Sequence, residues 1–486
     1  DSAWLRQRRC NTDSMPRPYY SKDARVERSL RHSVRDGVSY SMMAGAGETY
    51  LSAYAIFLKA SIAQISLLTA LPSLLGSLAQ VLSAWLAGFA PRRKTLILSG
   101  VLIQAVTWLP MIWLPYFFPQ HAVPIVIACV ALYYAAGNFA TPAWNSLMGD
   151  LVPERKRGRY FARRTQLMSI MTFLSLAGAG LLLHFLELTG ETRLGFMIAF
   201  SLAASARLYS AYHLARMHEP LRAPIPMALP QLSGLWQRLR ASDFARFTLF
   251  LGMMNFAVAI ASPFFTVYML RDLHFTYLEY TASTGISVLA QFLTLNMWGR
   301  FGDIFGHRRV LALTGSLIPI LPALWLVSPE FWYILGVQTL GGLCWAGFSL
   351  SAGNFLYDVM PPDKRATYAA IHNVLSNSAI FSGALVGGYL STVIPTEIII
   401  FGHTMHWTSG LWGVILISSL ARATVALTFL RRIREVREVR PVSAGGLMIR
   451  VIRFNALAEL VIDLLGSRRR RRRTRLLDSN QAAGPG

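Results

Sequence analysis

The residue best suited to carry out chemistry is an acidic residue inside an apolar segment. Glu48 lies in SMMAGAGETYLSAYAIFLKA, residues 41–60, about 15 Å along a helix from both Val38 and Lys59. A carboxylate that faced lipid at that depth would be costly, so Glu48 must face a partner or a water-filled cavity. Burial favours the uncharged form of a carboxyl group. Two roles stay open for it: carrying a proton or binding a cation, and a structural hydrogen bond to a neighbouring Tyr or Asn.

Four apolar segments carry polar or small residues at the spacing i, i+4, i+7, i+11, which places them on one face of a helix. These are the first, fourth, seventh and tenth segments of the chain. Each stripe predicts either a cavity wall or a face that packs on another helix. The residues are Ser41, Gly45, Glu48 and Ser52; Tyr134, Asn138, Thr141 and Asn145; Asn255, Ala259, Ser262 and Thr266; and Gln338, Gly342, Trp345 and Ser349.

The eleventh segment carries two asparagines one helical turn apart, Asn373 and Asn377. Such amides can bind a substrate or join two helices by hydrogen bonds, and membrane helices often use them to join. Both uses stay open here.

The composition places these segments in a membrane. Of 486 residues, 53% are hydrophobic and only 15% are charged, whereas a soluble domain has about 25% charged residues. Runs of about 20 apolar residues, each long enough to cross a bilayer as a helix, predict an all-α polytopic membrane protein with twelve transmembrane helices. The spans are 38–59, 62–89, 95–117, 123–147, 162–186, 194–216, 245–270, 277–298, 309–328, 331–356, 367–392 and 409–430.

The net charge of +23 is concentrated in short loops. Alternate connections carry it, at 91–94, 153–164, 306–309 and 362–365. Because basic loops stay in the cytoplasm, this pattern predicts that both termini are cytoplasmic. No nucleic-acid-binding motif accompanies the charge, so we expect no nucleic-acid partner. Arginine outnumbers lysine 42 to 5, which we interpret as genome composition and hence as a sign of a bacterial inner membrane.

The chain divides into five parts by composition. A basic cytoplasmic tail, 1–35, precedes a six-helix bundle at 36–217, and a cytoplasmic linker, 218–244, precedes a second bundle at 245–432. The tail at 433–486 contains an amphipathic stretch followed by six consecutive arginines. That tail fits binding to anionic lipid headgroups, and it fits a solvated disordered segment equally well.

The two bundles are related by an internal repeat. NSLMGDLVPERKRGRY and NFLYDVMPPDKRATY align Asp150 with Asp358 and Arg157 with Arg365, each pair 208 positions apart. A second match aligns Arg207 with Arg422, so both arginines lie inside the last helix of their half. They can snorkel to the interface or contact a substrate. Parallel repeats of this kind place a binding site at the repeat interface near the midplane.

The loop GRFGDIFGHRR, 299–309, resembles the signature of the major facilitator superfamily. Gly299, Asp303, Gly306, Arg308 and Arg309 match that signature. Ile304 departs from it, since a basic residue is usual there, and the corresponding loop of the first half, AWLAGFAPRRKTL, has no Asp. With the twelve spans and the repeat, the resemblance covers residues 36–432.

The resemblance implies a latch on the cytoplasmic side. Asp303 would meet the amino end of the fifth helix, around Gly158–Phe161, where free N–H groups favour an anion. Arg308 and Arg309 would lie near Asp150 or Asp358. The alternative is that these charges only orient the loops. In this superfamily the helices that carry the four stripes line the central cavity, so the resemblance also favours the cavity interpretation.

These features predict a secondary active transporter that moves a small solute by alternating access and is driven by protons. The cavity residues favour a neutral or amphiphilic solute over a strongly anionic one. We expect no cofactor, since no phosphate-binding loop occurs, no metal site, since the cysteines are far apart, and a monomer. A ligand-binding membrane sensor is the alternative function, and no catalytic constellation supports an enzyme.

The latch makes a testable prediction. Asp303→Asn removes the charge that would hold the two halves together, so we expect slower transport at unchanged membrane insertion. Initial rates of solute flux, normalised to the amount of inserted protein, measure this. Unchanged kinetics would remove the latch from the mechanism and leave Asp303 as a loop-orienting residue.

Overall fold

The computed structural model describes residues 20–21, 23–89, 92–153, 156–220, 242–360, 365–394, 397–400, 403–406 and 409–430. The predicted amino-terminal tail, most of the linker and the predicted lipid-binding tail lie outside these residues. The described chain is helical apart from one short hairpin, in which β1 (Glu397–Ile400) pairs antiparallel with β2 (His403–His406).

Eight α-helices form the first half of the chain. The side chain of Asp23 caps the first helix by accepting a hydrogen bond from the Arg25 backbone N–H, at 2.8 Å. A 3₁₀ turn, Glu48–Tyr50, separates the first two helices. The helices are α1 (Ala24–Ala46), α2 (Leu51–Phe57), α3 (Ile62–Leu86), α4 (Arg93–Val106), α5 (Trp108–Phe117), α6 (Ala122–Leu151), α7 (Arg157–Leu188) and α8 (Thr192–Ala215).

Eight more α-helices form the second half. A capping box of Thr276 and Glu279 starts the second predicted span of that half, because each residue satisfies a free backbone N–H of the other. The helices are α9 (Asp243–Ala259), α10 (Phe264–Val267), α11 (Tyr277–Phe305), α12 (His307–Leu317), α13 (Ile320–Leu324), α14 (Phe331–Val359), α15 (Arg365–Val393) and α16 (Leu411–Phe429).

Each of the twelve predicted spans is helical in the described residues. In the part of the chain that the structure describes, nine stretches are both long enough and apolar enough to cross a membrane: Ile62–Leu86, Arg93–Phe117, Pro119–Leu151, Arg157–Leu188, Thr192–Ala215, Asp243–Asp272, Phe331–Val359, Tyr368–Val393 and Leu411–Phe429. The other three predicted spans coincide with α1 and α2, with α11, and with α12 and α13. The helical membrane architecture predicted from the sequence is therefore confirmed.

The chain forms two compact units. One contains Asp1–Ala60 and Leu71–Leu229, and the other contains Ser61–Ala70 and Pro230–Gly486. The first residues of α3 thus group with the second unit, although the sequence places the whole helix in the first bundle. Each unit has its own apolar core, built around Leu147 and Tyr160 in the first and around Phe250 in the second.

Equivalent helices pack together inside each unit. In the first unit α1 packs on α7 and α8, and α4 packs on α6 and α8. In the second unit α9 packs on α15 and α16, while α12 and α13 pack on α14 and α16. The same pairing in both units agrees with the internal repeat found in the sequence.

Close approach of α1 to α7 requires a residue without a side chain. A Cβ added to Gly45 would lie 2.4 Å from the Thr172 carbonyl oxygen. The equivalent contact in the second unit also uses a glycine, since a Cβ on Gly383 would lie 2.3 Å from the Phe256 carbonyl oxygen. Small residues at helix contacts of membrane proteins permit such short distances.

Gly45→Ala is expected to lower the thermal midpoint of the purified protein, because the new methyl group forces α1 and α7 apart. Overpacking of this kind costs about 1–3 kcal/mol. Gly178→Ala is the matched control, since a Cβ at this α7 position meets nothing within 4 Å. Thermal unfolding in detergent measures both variants. Equal midpoints for the two would show that the α1–α7 contact tolerates a side chain.

Candidate functional site

A cavity of about 240 Å³ lies within the first unit, between α1, α4, α6, α7 and α8. Its wall combines carboxylates, guanidinium groups, amides and aromatic rings. Charged and polar lining residues are Asp36, Glu48, Arg164, Arg207, Gln104, Asn138 and Thr141, and aromatic lining residues are Tyr40, Tyr134 and Trp144. The sequence places four of these residues at a cavity wall, namely Glu48, Tyr134, Asn138 and Thr141, and the structure brings them together here.

Glu48 is held by a buried tyrosine of α6. The Tyr133 hydroxyl donates a short hydrogen bond to Glu48 Oε1. The Tyr133 side chain is fully buried and lies edge-on to the Trp108 ring, with 5.1 Å between the ring centroids. Glu48 itself is half-buried because it borders the cavity. A polar partner and a hydrated neighbour are what a carboxyl group at this depth requires.

The turn around Glu48 changes one expectation about the first helix. The sequence predicts one continuous face with Ser41 and Gly45, but α1 ends at Ala46 and a 3₁₀ turn follows. Gly45 instead faces α7, as does Ser41, whose carbonyl oxygen lies 3.4 Å from the Ser175 hydroxyl. The continuous polar face is therefore wrong, because helical spacing does not extend across a break in the helix.

A buried ion pair closes one side of the cavity. Asp36 on α1 accepts a hydrogen bond from Arg164 Nη2 at 3.3 Å and another from the Ser210 hydroxyl at 2.7 Å. Arg164 also donates to the Ser33 carbonyl oxygen and lies over the Trp144 ring, 4.7 Å from its centroid. Both charges are thus paired and hydrogen-bonded, as a buried ion pair must be.

Arg207 lies inside the unit. Its side chain is 5% exposed, its guanidinium carbon lies 5.0 Å from the centroid of the Tyr40 ring, and its Nη1 donates to Ser210 at 2.9 Å. Snorkelling to the interface, one of the two roles left open by the sequence, is therefore wrong for this arginine. Its repeat counterpart Arg422 is 3% exposed, and its Nε donates to the hydroxyl of Ser418, one turn earlier on the same helix, at 3.1 Å.

The cavity holds three charged residues that were not among the predicted cavity residues, since Asp36, Arg164 and Arg207 join Glu48 on the wall. Asp36 lies just before the first predicted span and Arg164 at the start of the fifth. Charges are common at such positions, so hydropathy does not indicate that these two residues line a pocket. A spacing signal exists in hindsight, because Asp36 and Tyr40 are one helical turn apart on the side of α1 that borders the cavity.

The amide and hydroxyl groups of α6 form the opposite wall. Asn138 Nδ2 donates to the Tyr134 carbonyl oxygen at 2.9 Å, and its Oδ1 accepts from Gln80 at 2.9 Å. The Thr141 hydroxyl donates to the Gly137 carbonyl oxygen at 3.1 Å. These bonds leave the α6 wall polar but uncharged.

The remaining predicted cavity residues belong to the second unit. Asn255 on α9 and Gln338 on α14 are half-buried, and Ser262 is exposed in the break between α9 and α10. Trp345 packs on Phe348, with 5.7 Å between the ring centroids. On α15, Asn377 is half-buried and Asn373 is exposed. A role in substrate binding stays a prediction for all of them.

The signature loop joins α11 to α12 through a glycine that no other residue replaces without strain. Gly306 has φ 92°, a left-handed conformation that favours glycine. Asp303 is exposed near the end of α11, Gly299 lies one turn before it, and Arg309 Nη1 donates to the Phe305 carbonyl oxygen at 2.8 Å. Arg308 is half-buried. The latch contact of Asp303 stays a prediction.

The acid at the end of α6 has a partner from its own unit. Arg93 Nη1 lies 2.7 Å from Asp150 Oδ2, and Arg93 also reaches Glu219. Arg157 donates to the Gly149 carbonyl oxygen at 2.9 Å and so caps the end of α6. In the second unit Asp358 is half-buried on α14, and Arg365 begins α15, although its side chain lies outside the described residues.

A histidine pair that the sequence did not indicate joins α1 to α8 beyond the cavity. His32 Nδ1 and His213 Nδ1 are 2.9 Å apart. Burial, followed by the charge of Arg35, lowers the pKa of His32, which precedes the first predicted span. Among the residues that the structure describes, no group of three or more His, Cys, Asp or Glu side chains is placed to hold a metal ion.

The family model of the Major Facilitator Superfamily matches residues 37–267 and 247–474. The chain belongs to the major facilitator superfamily. It is therefore an integral, multi-pass membrane protein, and its two repeated units are the two halves of the superfamily fold. The resemblance inferred from the signature loop is confirmed.

Solved transporters of this superfamily share the fold at low sequence identity. A bacterial homologue of the iron transporter ferroportin, in an inward-facing state, aligns with a TM-score of 0.63 at 12% identity, covering 83% of this chain and 98% of that one. The nucleoside transporter NupG aligns with a TM-score of 0.59 at 16% identity, covering 83% and 98%. A bacterial homologue of the human lysosomal transporter Spinster aligns with a TM-score of 0.56 at 14% identity, covering 87% and 100%.

One curated relative matches over a short region. The vacuolar membrane amino acid uptake transporter fnx2 of Schizosaccharomyces pombe is 26% identical over 95 residues. That region is 20% of this chain and 16% of the fungal protein. The match agrees with a superfamily transporter and leaves the substrate of this chain open.

Asp36→Asn is expected to lower the stability of the protein strongly, because it leaves Arg164 buried without a counter-charge. Breaking a buried pair in this way costs about 3–5 kcal/mol. Asp150→Asn is the control, since its carboxylate is 29% exposed in the pair with Arg93 and a pair of that kind contributes about 1 kcal/mol or less. Thermal unfolding of the two purified variants gives the comparison, and similar losses would contradict the assignment of Asp36 as the buried partner.

Proposed function

We propose that this superfamily member is a secondary active transporter that moves a small solute by alternating access and couples the movement to protons through Glu48. The bond between Tyr133 and Glu48 at the cavity wall carries the proposal. This arrangement supports coupling because the carboxyl group of Glu48 can bind a proton, and the cavity beside it gives water and a solute access to that group.

The surroundings of Glu48 suit a group that changes protonation state. The Tyr133 hydroxyl stabilises the ionised carboxylate as a donor, and it can accept a hydrogen bond from the protonated acid. Arg207 lines the same cavity as Glu48, and a nearby positive charge favours an ionised carboxylate, whereas a less hydrated environment favours the neutral acid. A carboxyl group in such a position can exchange a proton as its environment alternates between the two sides of the membrane.

The superfamily supports transport but does not select the substrate. The solved neighbours are named for iron, nucleosides and other cargo, and the fungal relative for amino acids. Below 25% identity they share the fold alone with this chain. A substrate must therefore be inferred from the cavity of this protein.

The cellular setting is proposed from the charge pattern. The basic loops and the excess of arginine support a bacterial inner membrane with cytoplasmic termini. The run Arg468–Arg473 supports a contact between the last tail and anionic lipid headgroups. We propose that the protein works as a monomer with one small-molecule substrate and a proton as its partners.

Glu48→Gln tests the coupling. A thermal-shift screen at two pH values first identifies a solute that stabilises the purified protein. In proteoliposomes, an imposed pH gradient is expected to drive accumulation of that solute by the wild type. The glutamine variant is expected to exchange solute across the membrane without accumulating it, since an amide keeps the shape of the side chain and binds no proton.

Glu191→Gln is the matched control, because Glu191 is an exposed carboxylate before α8. It should accumulate solute like the wild type. If Glu48→Gln retains full accumulation driven by the pH gradient, coupling through Glu48 is excluded. If the wild type binds the solute but never moves it, the protein is a membrane sensor of the kind that the sequence left open.

A further inference from the structure

We propose that the first-unit cavity binds the carboxylate of a small organic acid through Arg207, and that a proton on Glu48 favours this binding because it leaves the charge of Arg207 uncompensated. This inference rests on the proposed function and names its substrate class. It replaces the neutral solute expected from the sequence, since that expectation took no account of the arginines on the cavity wall.

One cation of the cavity is fully committed to the protein. Arg164 bonds to Asp36 and to the Ser33 carbonyl oxygen, and its guanidinium lies over the Trp144 ring. Asp36 in turn accepts from Arg164 and from Ser210. This ion pair is neutral as a whole and has few groups left for a ligand.

The other cation is not committed in this way. Arg207 makes no salt bridge within the described part of the chain, and its Nη1 donates only to the neutral hydroxyl of Ser210. Its Nε is buried without a hydrogen-bond partner among the described residues. A guanidinium has five N–H donors and keeps its charge at every physiological pH. Arg207 therefore offers unused donors beside a cavity that it lines.

The negative charge that balances Arg207 is the one that can be removed. Glu48 lines the same cavity and attracts Arg207 electrostatically, while its hydrogen bond goes to Tyr133. When Glu48 takes up a proton, Asp36 and Arg164 still cancel, and Arg207 alone leaves one positive charge. A buried charge without a partner is unfavourable, so a ligand with one negative charge restores the balance.

The titratable and charged groups that line the cavity with Glu48 or lie close to it come from four helices, and all enter this charge count. They are Tyr40 and Asp36 on α1, Tyr133 and Tyr134 on α6, Arg164 on α7 and Arg207 on α8. The tyrosines are neutral at physiological pH, since an unperturbed phenol has a pKa of about 10. Asp36 is held by Arg164 and Ser210, so Glu48 is the carboxyl group of the set that makes no salt bridge in the described residues, and a proton on it changes the charge of the cavity.

The geometry favours a carboxylate over other anions. A guanidinium binds the two oxygens of a carboxylate through parallel N–H bonds. A phosphate carries close to two negative charges, and only one positive charge is left uncompensated. The volume of about 240 Å³ fits a small molecule, and Tyr40, Tyr134 and Trp144 offer ring surfaces to an apolar body.

Paired probes that differ only in charge test the proposal. Benzoate with benzamide, and acetate with acetamide, are titrated calorimetrically into the purified full-length protein at an acidic and at a neutral pH. We expect saturable binding of a carboxylate, tighter at the acidic pH, with about one proton taken up for each ligand bound. The matching amide should bind roughly 30-fold more weakly or worse, as expected when one partner of a buried charge pair is removed.

Three variants assign the effect to residues. Arg207→Gln should lose carboxylate binding. Arg216→Gln should keep it, since Arg216 is exposed at the carboxyl end of α8, the helix that carries Arg207, and lies outside the cavity. Glu48→Gln imitates the protonated acid, so it should bind the carboxylate at least as tightly as the wild type, with no pH dependence and no proton uptake. If Arg207→Gln fails to fold, Arg207→Lys and Glu48→Gln decide the question.

Equal binding of a carboxylate and its amide would overturn the proposal. So would unchanged binding by a folded Arg207 variant, or the absence of saturable carboxylate binding to both the wild type and Glu48→Gln. The proposed function fails separately. If a neutral solute is accumulated with protons by the wild type but not by Glu48→Gln, coupling stands and the carboxylate assignment is wrong.

Discussion

Charge compensation inside an apolar bundle is the constraint on which the rest of this protein depends. Four charged or ionisable side chains lie beside one cavity of the first unit. Asp36 and Arg164 compensate each other directly, while Arg207 and Glu48 interact without a salt bridge. The first pair gives the unit a fixed internal link, and the second leaves a charge balance that a proton or a ligand can change.

Helix packing and the cavity depend on the same local features of α1. A glycine lets α1 approach α7 closely, and the helix ends one residue later, so the next turn directs Glu48 toward Tyr133 on α6. A continuous helix would carry the acid on a face shared with Gly45, against α7. The break in α1 therefore positions the acid, and the close contact before it keeps that break in place.

The superfamily explains the architecture, and individual side chains explain the chemistry. Transporters with differently named cargo share this fold at 12–16% identity, so the arrangement of helices leaves the substrate open. The internal repeat likewise combines a shared helix arrangement with different side-chain chemistry in its two halves. Arg207 and Arg422 occupy equivalent helices and each bonds to a serine of its own helix, but the described residues place carboxylates beside the first alone.

The sequence by itself determined the helical membrane fold, the repeat and the superfamily, because hydropathy, basic loops and a signature motif can be read directly from the chain. Tyr134, Asn138 and Thr141 were also found, since they share one face of an uninterrupted helix. The tertiary structure alone decided which charged side chains lie together at the cavity. Asp36, Arg164 and Arg207 come from three helices more than 40 positions apart in sequence, and helical spacing carries no information across such separations. The break after α1 likewise cannot be read from helical spacing, which is why the predicted face of Glu48 was wrong, while its depth in the membrane stays a prediction.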